Sequence, residues 1–173
     1  MSSPNYVPTI LIDAVIDAVV TFLQPFVGSD TPIIRGQQNR VPPPITAFVK
    51  VYEIHLKPLE TPTFTNSPVS DVQQASISTP TRIDIQVDFY GPSAGDWIEA
   101  VEAVYRSPYA PAQFPDGIAP LFCSDALQAP LITGEEQYEN HWALTASLQY
   151  NPLVYVPQQS ATELETSIFE DLP

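Results

Sequence analysis

The chain is predicted to adopt an α+β fold. The expected form is a mostly antiparallel sheet of four or more strands, with an N-terminal helix and a central helix packed on it. Three stretches carry this prediction. In the first, Ile83, Ile85, Val87 and Phe89 alternate with Arg82, Asp84, Gln86 and Asp88, the period of a strand with one buried face. From Ser93 the spacing changes, and Trp97, Ile98, Val101, Val104 and Tyr105 form one stripe of a helix. Last comes 139–150, where Trp142, Leu144, Ala146, Leu148 and Tyr150 take one strand face and His141, Ala143, Thr145, Ser147 and Gln149 the other. Strands and helices with one apolar side bury it by stacking in layers, here in the order α-β-β-α-β-β.

Taken in order, Thr9 is placed to cap a helix from Ile10 to about Gln24. Asp13, Asp17, Thr21 and Gln24 make its narrow polar stripe, and its remaining surface is apolar enough to suggest cover from a neighbouring subunit. Residues 28–44 read as a loop ending in a proline run. Residues 45–56 are rich in β-branched and aromatic residues and read as a strand. Residues 57–70 carry four prolines and read as a loop or hairpin tip. The strand then returns over 72–90, with a possible break at Thr79-Pro80, and pairs antiparallel with its predecessor. Ser93 and Asp96 suit the first turn of the helix 94–106, and Ser107-Pro108 ends it. Short strands are expected at 121–123 and 129–132, with a turn at 134–136. Asn151-Pro152 interrupts the last strand before it continues over 153–156. Residues 1–156 are thus expected to form one domain. Residues 157–173 form a tail, extended or capped at Ser160 or Thr162 into a short docking helix.

The composition narrows the function. Twenty acidic residues face six basic ones, for a net charge of −14. All the basic residues lie between 35 and 106, and 107–173 holds nine acids with no Lys or Arg. Such a surface repels phosphate backbones and anionic membranes. The apolar run 10–23 is too short for a membrane span and contains Asp13 and Asp17. No Lys or Arg precedes it, so a secretory signal is not expected. Cys123 is the lone cysteine, which rules out an intrachain disulfide and suits a reducing compartment. The twenty prolines cluster between the periodic segments and stiffen long connectors, which suit contacts.

The candidate chemistry is thin. Asp84 and Asp88 share a strand face about 13 Å apart, too far for a metal or a carboxylate pair, and read as a solvated face. Asp13 and Asp17 lie one helical turn apart and read as a polar stripe. His55 and His141 fall on strands that could be neighbours, but no third ligand accompanies them. Cys123 has no basic neighbour in sequence and reads as a buried inert thiol. Glu135, Glu136 and Glu139 read as a solvated turn. Gly91 and Gly95 flank a strand-to-helix corner that lacks the Lys and glycine set of a phosphate loop, with Asp96 in the way. No catalytic, cofactor-binding or metal-binding residue is assigned, no cofactor is expected, and the chain does not read as an enzyme.

The segment DIQVDFYGPSAGDWIEAVEAVYRSP (84–108), with its V-x-F-Y-G-P-x-A corner, and the later strand NHWALTASLQY (140–150) resemble bacteriophage neck or tail-terminator proteins. The aromatic strand at 47–52 fits as well, and the likeness covers roughly 40–156. What the resemblance implies is a tail-terminator-like fold and a structural virion protein without catalytic residues. Such a subunit forms a ring, usually a hexamer, that ends the tail tube and joins it to the head-side connector, with DNA passing through the lumen unbound. Its partners would be its own copies, the tube and sheath proteins and the connector. Its place would be the tail or neck of the virion, after assembly in the host bacterial cytoplasm. Another head–tail adaptor or tube-type ring is the alternative within this class, and a small acidic enzyme or ligand-binding domain the alternative outside it.

Overall fold

A computed structural model describes residues 6–36, 42, 44–67, 74–129, 131–132 and 138–157. The order of elements is α1 (Ile12–Val27), β1 (Ile33–Arg35), β2 (Phe48–Pro58), β3 (Thr63–Ser67), β4 (Gln74–Ser78), β5 (Thr81–Tyr90), α2 (Ala94–Tyr105), β6 (Ile118–Cys123), β7 (Leu127–Gln128), β8 (Leu131–Ile132), β9 (Tyr138–Glu139), β10 (His141–Tyr150) and β11 (Leu153–Pro157). The α+β class holds, and the order is richer than α-β-β-α-β-β. The principal sheet runs β1-β2-β5-β10-β6, with β7 also on β10. All its pairings are antiparallel except β1 with β2, which is parallel, and β1 lies inside the stretch 28–44 that the sequence reads as a loop. Three residues bounded by turn chemistry give too short a pattern to stand out.

The helices pack on one face of this sheet. Val49 and Val51 of β2, Ile83, Ile85, Val87 and Phe89 of β5, and Leu144, Ala146 and Leu148 of β10 share one buried cluster with α1 and α2. Each fully buried Leu or Ile there contributes about 1.5–3 kcal/mol of transfer free energy. Phe22 of α1 joins the layers, its ring centroid 5.2 Å from Phe114 and 5.7 Å from Tyr105. Seven residues of α1 are buried within the chain itself, so the helix does not need a neighbour to cover it. Its polar stripe, with Asp13, Asp17 and Thr21, is exposed.

Both helix starts differ from the sequence reading. Thr9 does not cap α1. Its backbone N–H donates to the Leu153 carbonyl at 2.9 Å and its Oγ1 accepts from the Leu153 N–H at 3.0 Å, tying the N-terminal segment to the start of β11. Ser93 takes the N-cap position of α2 without a side-chain capping bond. Only its carbonyl acts there, accepting from the Trp97 N–H at 3.0 Å. At the other end, α1 continues through Pro25 to Val27. A proline this close to the end removes a single backbone bond, and Gly28, at φ 83°, then turns the chain.

The stretch 72–90 is two strands in different sheets. β5 belongs to the principal sheet, and β4 to a second sheet ordered β11-β4-β3. The segment 57–70 therefore contributes strand β3 as well as a turn. Three strands are interrupted along one line. Pro58 pairs with Thr81, which pairs with Tyr150, whereas beyond the line Thr63 pairs with Ser78 and Ser78 with Leu153. Residues 59–62, 79–80 and 151–152 occupy the line, with Pro80 and Pro152 lacking the N–H that a ladder needs. The second sheet is thus an arm that continues the first across a crease. Phe64, Ile77, Val154 and Val156 share one side of it, with Phe64 exposed and the others half-buried. β8 and β9 make a separate two-stranded ribbon. The expected turn at 134–136 and a helix beginning at Ser160 or Thr162 lie outside the described residues.

Candidate functional site

The sheet face away from the helices collects most of the residues that the sequence offers for chemistry. Along β2 the even positions Phe48, Lys50 and Tyr52 point to this face, and a bulge between Glu53 and His55 then hands it to His55 and Lys57. A bulge re-aims every side chain beyond it. The face reads in cross-strand rows: Phe48-Tyr90-His141, Lys50-Asp88-Ala143, Tyr52-Gln86-Thr145, His55-Asp84-Ser147 and Lys57-Arg82-Gln149. A second bulge, in β6, places Phe122 opposite Ser147.

Asp84 and Asp88 are buried, at 6% and 3% exposure, and so are not a solvated face. Long neighbours on both flanking strands close over them. Asp84 accepts a two-pronged bond from Arg82, Nε at 2.7 Å and Nη2 at 2.8 Å. It also accepts the Ser147 hydroxyl at 2.6 Å and lies 3.4 Å from His55 Nδ1. Burial alone pushes the Asp84 carboxyl up, but the bonds from Arg82 and Ser147, with the charges of Arg82 and His55, outweigh it and hold the carboxyl below its ordinary value. Asp88 faces Lys50 Nζ at 3.5 Å, His141 Nε2 at 3.4 Å and the Gln86 amide at 3.1 Å. Burial and this carboxylate push the Tyr52 phenol up. The Tyr90 ring stacks between Phe48 and His141 at 4.4 Å on either side. His141 Nδ1 donates to the Ala129 carbonyl at 2.9 Å, which leaves Nε2 turned toward Asp88.

His55 and His141 are therefore not neighbours; each serves a different carboxylate. Lys50, Arg82 and Ser147 are the partners that sequence reasoning missed. The signal was the alternation of cations and acids at 82 and 84, which shows a pair only once the strand is known to be covered. Asp13 and Asp17 do come together, through Arg35 at 2.6 and 2.7 Å. Cys123 is buried and free, yet it has a basic neighbour across the fold, with Arg106 Nε 3.4 Å from its sulfur. Gly91, at φ 116°, lets the corner pass Ala47, where an added Cβ would lie 2.5 Å from the Ala47 Cβ. An added Cβ at Gly95 would meet the Trp142 indole nitrogen at an ordinary contact distance of 3.5 Å, so only Gly91 is held to glycine by close packing. Glu135 and Glu136 lie outside the described residues, and Glu139 forms part of β9.

Among the described residues no three His, Cys, Asp or Glu side chains are grouped to hold a metal ion, and no helix is long and apolar enough to cross a membrane. A shallow groove beside α1 is lined by Asp17, Thr21 and Phe114, and its carboxylate is already bonded to Arg35. Asp84 and Asp88 are matched by Arg82 and Lys50, while apolar side chains such as Phe64, Phe122, Leu127 and Tyr155 face outward.

Residues 13–171 match the family described as phage neck terminator protein, and the chain belongs to that family. It is a structural protein of the phage neck, located in the virion where tail meets head, and it works with other tail and head proteins. No curated protein matches the chain. The family match is longer than the 40–156 covered by the resemblance, and takes in both α1 and most of the stretch after Pro157.

Proposed function

We propose that the chain is the subunit of a ring, a hexamer by the resemblance, that ends the tail tube and joins it to the head-side connector. DNA passes through its lumen without specific binding. The family match is the observation that carries this reading. The arm supports it: β3 and β11 are its edge strands among the described residues, and Phe64 and Tyr155 are about half exposed on it. An open edge with apolar side chains is a pairing surface. One such surface meeting a different surface of the next copy closes into a ring when the rotation permits. In this reading residues 1–156 are the ring body and 157–173 a docking segment. The protein has no catalytic or cofactor role. It assembles in the host bacterial cytoplasm and meets the tube, the sheath and the connector.

The test is the mass of the purified protein by light scattering, with negative-stain images of the same sample. A fixed stoichiometry and open-centred rings, alone or on added tail tubes, are expected. A monomer both alone and with tubes refutes the ring.

A further inference from the structure

The face away from the helices differs in charge from the rest of the chain. The only two lysines in the sequence, Lys50 and Lys57, both lie on it with Arg82, so it holds half of the six basic residues of a protein with net charge −14. Lys50 is matched by Asp88 and Arg82 by Asp84. Lys57 stands directly opposite Arg82 in the register, is exposed, and makes no ion pair among the described residues. His55, with its side chain 57% exposed, shares Asp84 with Arg82. Two like charges opposite each other on a sheet destabilise it unless an anion comes between them. Beside them the Arg82 guanidinium covers the Phe122 ring at 4.7 Å, and Phe122 is still half exposed. Arg, aromatic rings and few free carboxylates are the composition of a binding face.

The chain carries a segment that fits this face. Residues 158–173 hold Glu163, Glu165, Glu170 and Asp171 with no cation, interleaved with Leu164, Ile168, Phe169 and Leu172. They begin where β11 ends at Pro157, paired with Gln74 at the end of the arm away from the body. From there, sixteen residues reach roughly 50 Å when extended. β11 runs away from its own body, so Pro157, where the segment begins, lies at the end of the arm away from the Lys57 row. The family match, which continues to residue 171, makes most of this segment part of what the family has in common.

We infer that the acidic C-terminal segment of one copy docks on the Lys57-Arg82-Phe122 face of the next. Its carboxylates meet Lys57, Arg82 and His55, and its apolar residues meet Phe122. This rests on the self-association proposed above. Charge complementarity of this kind sets the choice of partner and the register.

The lysine count makes the test clean. Full-length protein labelled with ¹⁵N is mixed with unlabelled protein, treated with a carbodiimide that joins amines to carboxylates in contact, and read by mass spectrometry. Lys57 is expected to link to Glu163, Glu165, Glu170 or Asp171, with about half the linked pairs of mixed isotope. High salt should reduce the yield severalfold. Lys57→Glu, at an exposed site opposite Arg82, should not lower the melting temperature and should weaken self-association at least tenfold at low salt. Links only within one chain, or from Lys57 to Asp96 or Glu99 instead, overturn the inference. So does an assembled protein in which Lys57 links to no tail acid. A protein that stays monomeric alone and with tubes overturns the ring reading, and this inference with it.

Discussion

Asp84→Asn separates a structural carboxylate from a solvated one. The change keeps the shape and removes the charge. The Ser147 bond can survive, since the amide oxygen still accepts. The two-pronged bond to Arg82 cannot, because an amide NH₂ then faces a guanidinium N–H. Breaking a fully buried pair costs about 3–5 kcal/mol, but the Arg82 side chain keeps 28% of its surface in water, so we expect about 2 kcal/mol. In a domain of this size that lowers the melting temperature by roughly 4–8 °C. The pH dependence gives a second handle. The folded-state pKa of Asp84 is depressed, so its contribution is fully present above the unfolded value, about 3.9, and is lost as pH falls through the folded one. Urea unfolding at fixed protein concentration, from pH 7 down to about pH 3, should show a difference between variant and parent that is full at neutral pH and shrinks below about pH 4. A difference under about 0.5 kcal/mol at pH 7 would mean that Asp84 behaves as a surface group. A difference that does not change with pH would mean that the charge is not what matters. Either result refutes the reasoning.

Gly91→Ala places a methyl group 2.5 Å from the Ala47 Cβ at φ 116°; a loss of at least about 2 kcal/mol is expected in urea titrations, and a neutral variant would mean that the corner can open freely. Leu148→Ala empties a fully buried position on the helix side of β10 and should cost about 2–5 kcal/mol with the fold retained by circular dichroism. Arg35→Ala removes both bridges to Asp13 and Asp17, whose side chains are 74% and 70% exposed. The expected loss is under about 1 kcal/mol and should vanish at high salt; a larger loss in urea would point to a packing role for β1.

How much of this was legible depends on whether a pattern is local. β5, α2 and β10 could be read because each presents a long, unbroken period, and the resemblance lay in the same residues. β1 could not, since three residues carry no period. Nor could β3, which sits in a proline-rich stretch that also makes a turn. The two carboxylates were misread because alternation says which residues share a face, not whether neighbours close over it. The β2 bulge deepened the difficulty. Counting by twos would put Ile54 opposite Asp84, and the extra residue puts His55 there instead. The basic partner of Cys123, seventeen positions earlier in the chain, becomes a neighbour only when α2 lies back across the sheet.

The crease has a mechanical consequence. Body and arm share three continuous chains, yet no ladder pairing crosses residues 59–62, 79–80 and 151–152. A pull along the arm enters the body through β5 and β10, which are joined by ten consecutive registered pairs. These pairs are loaded together in shear, the direction in which an antiparallel ladder resists most. A sideways push meets no such ladder at the crease, where isolated bonds such as Leu59 N–H to the Pro80 carbonyl and Asn151 N–H to the Gly117 carbonyl stand in its place. The subunit is therefore built like a strap on a buckle, stiff in tension and compliant in bending. A protein at the joint between head and tail can then carry axial load while its neighbours tilt.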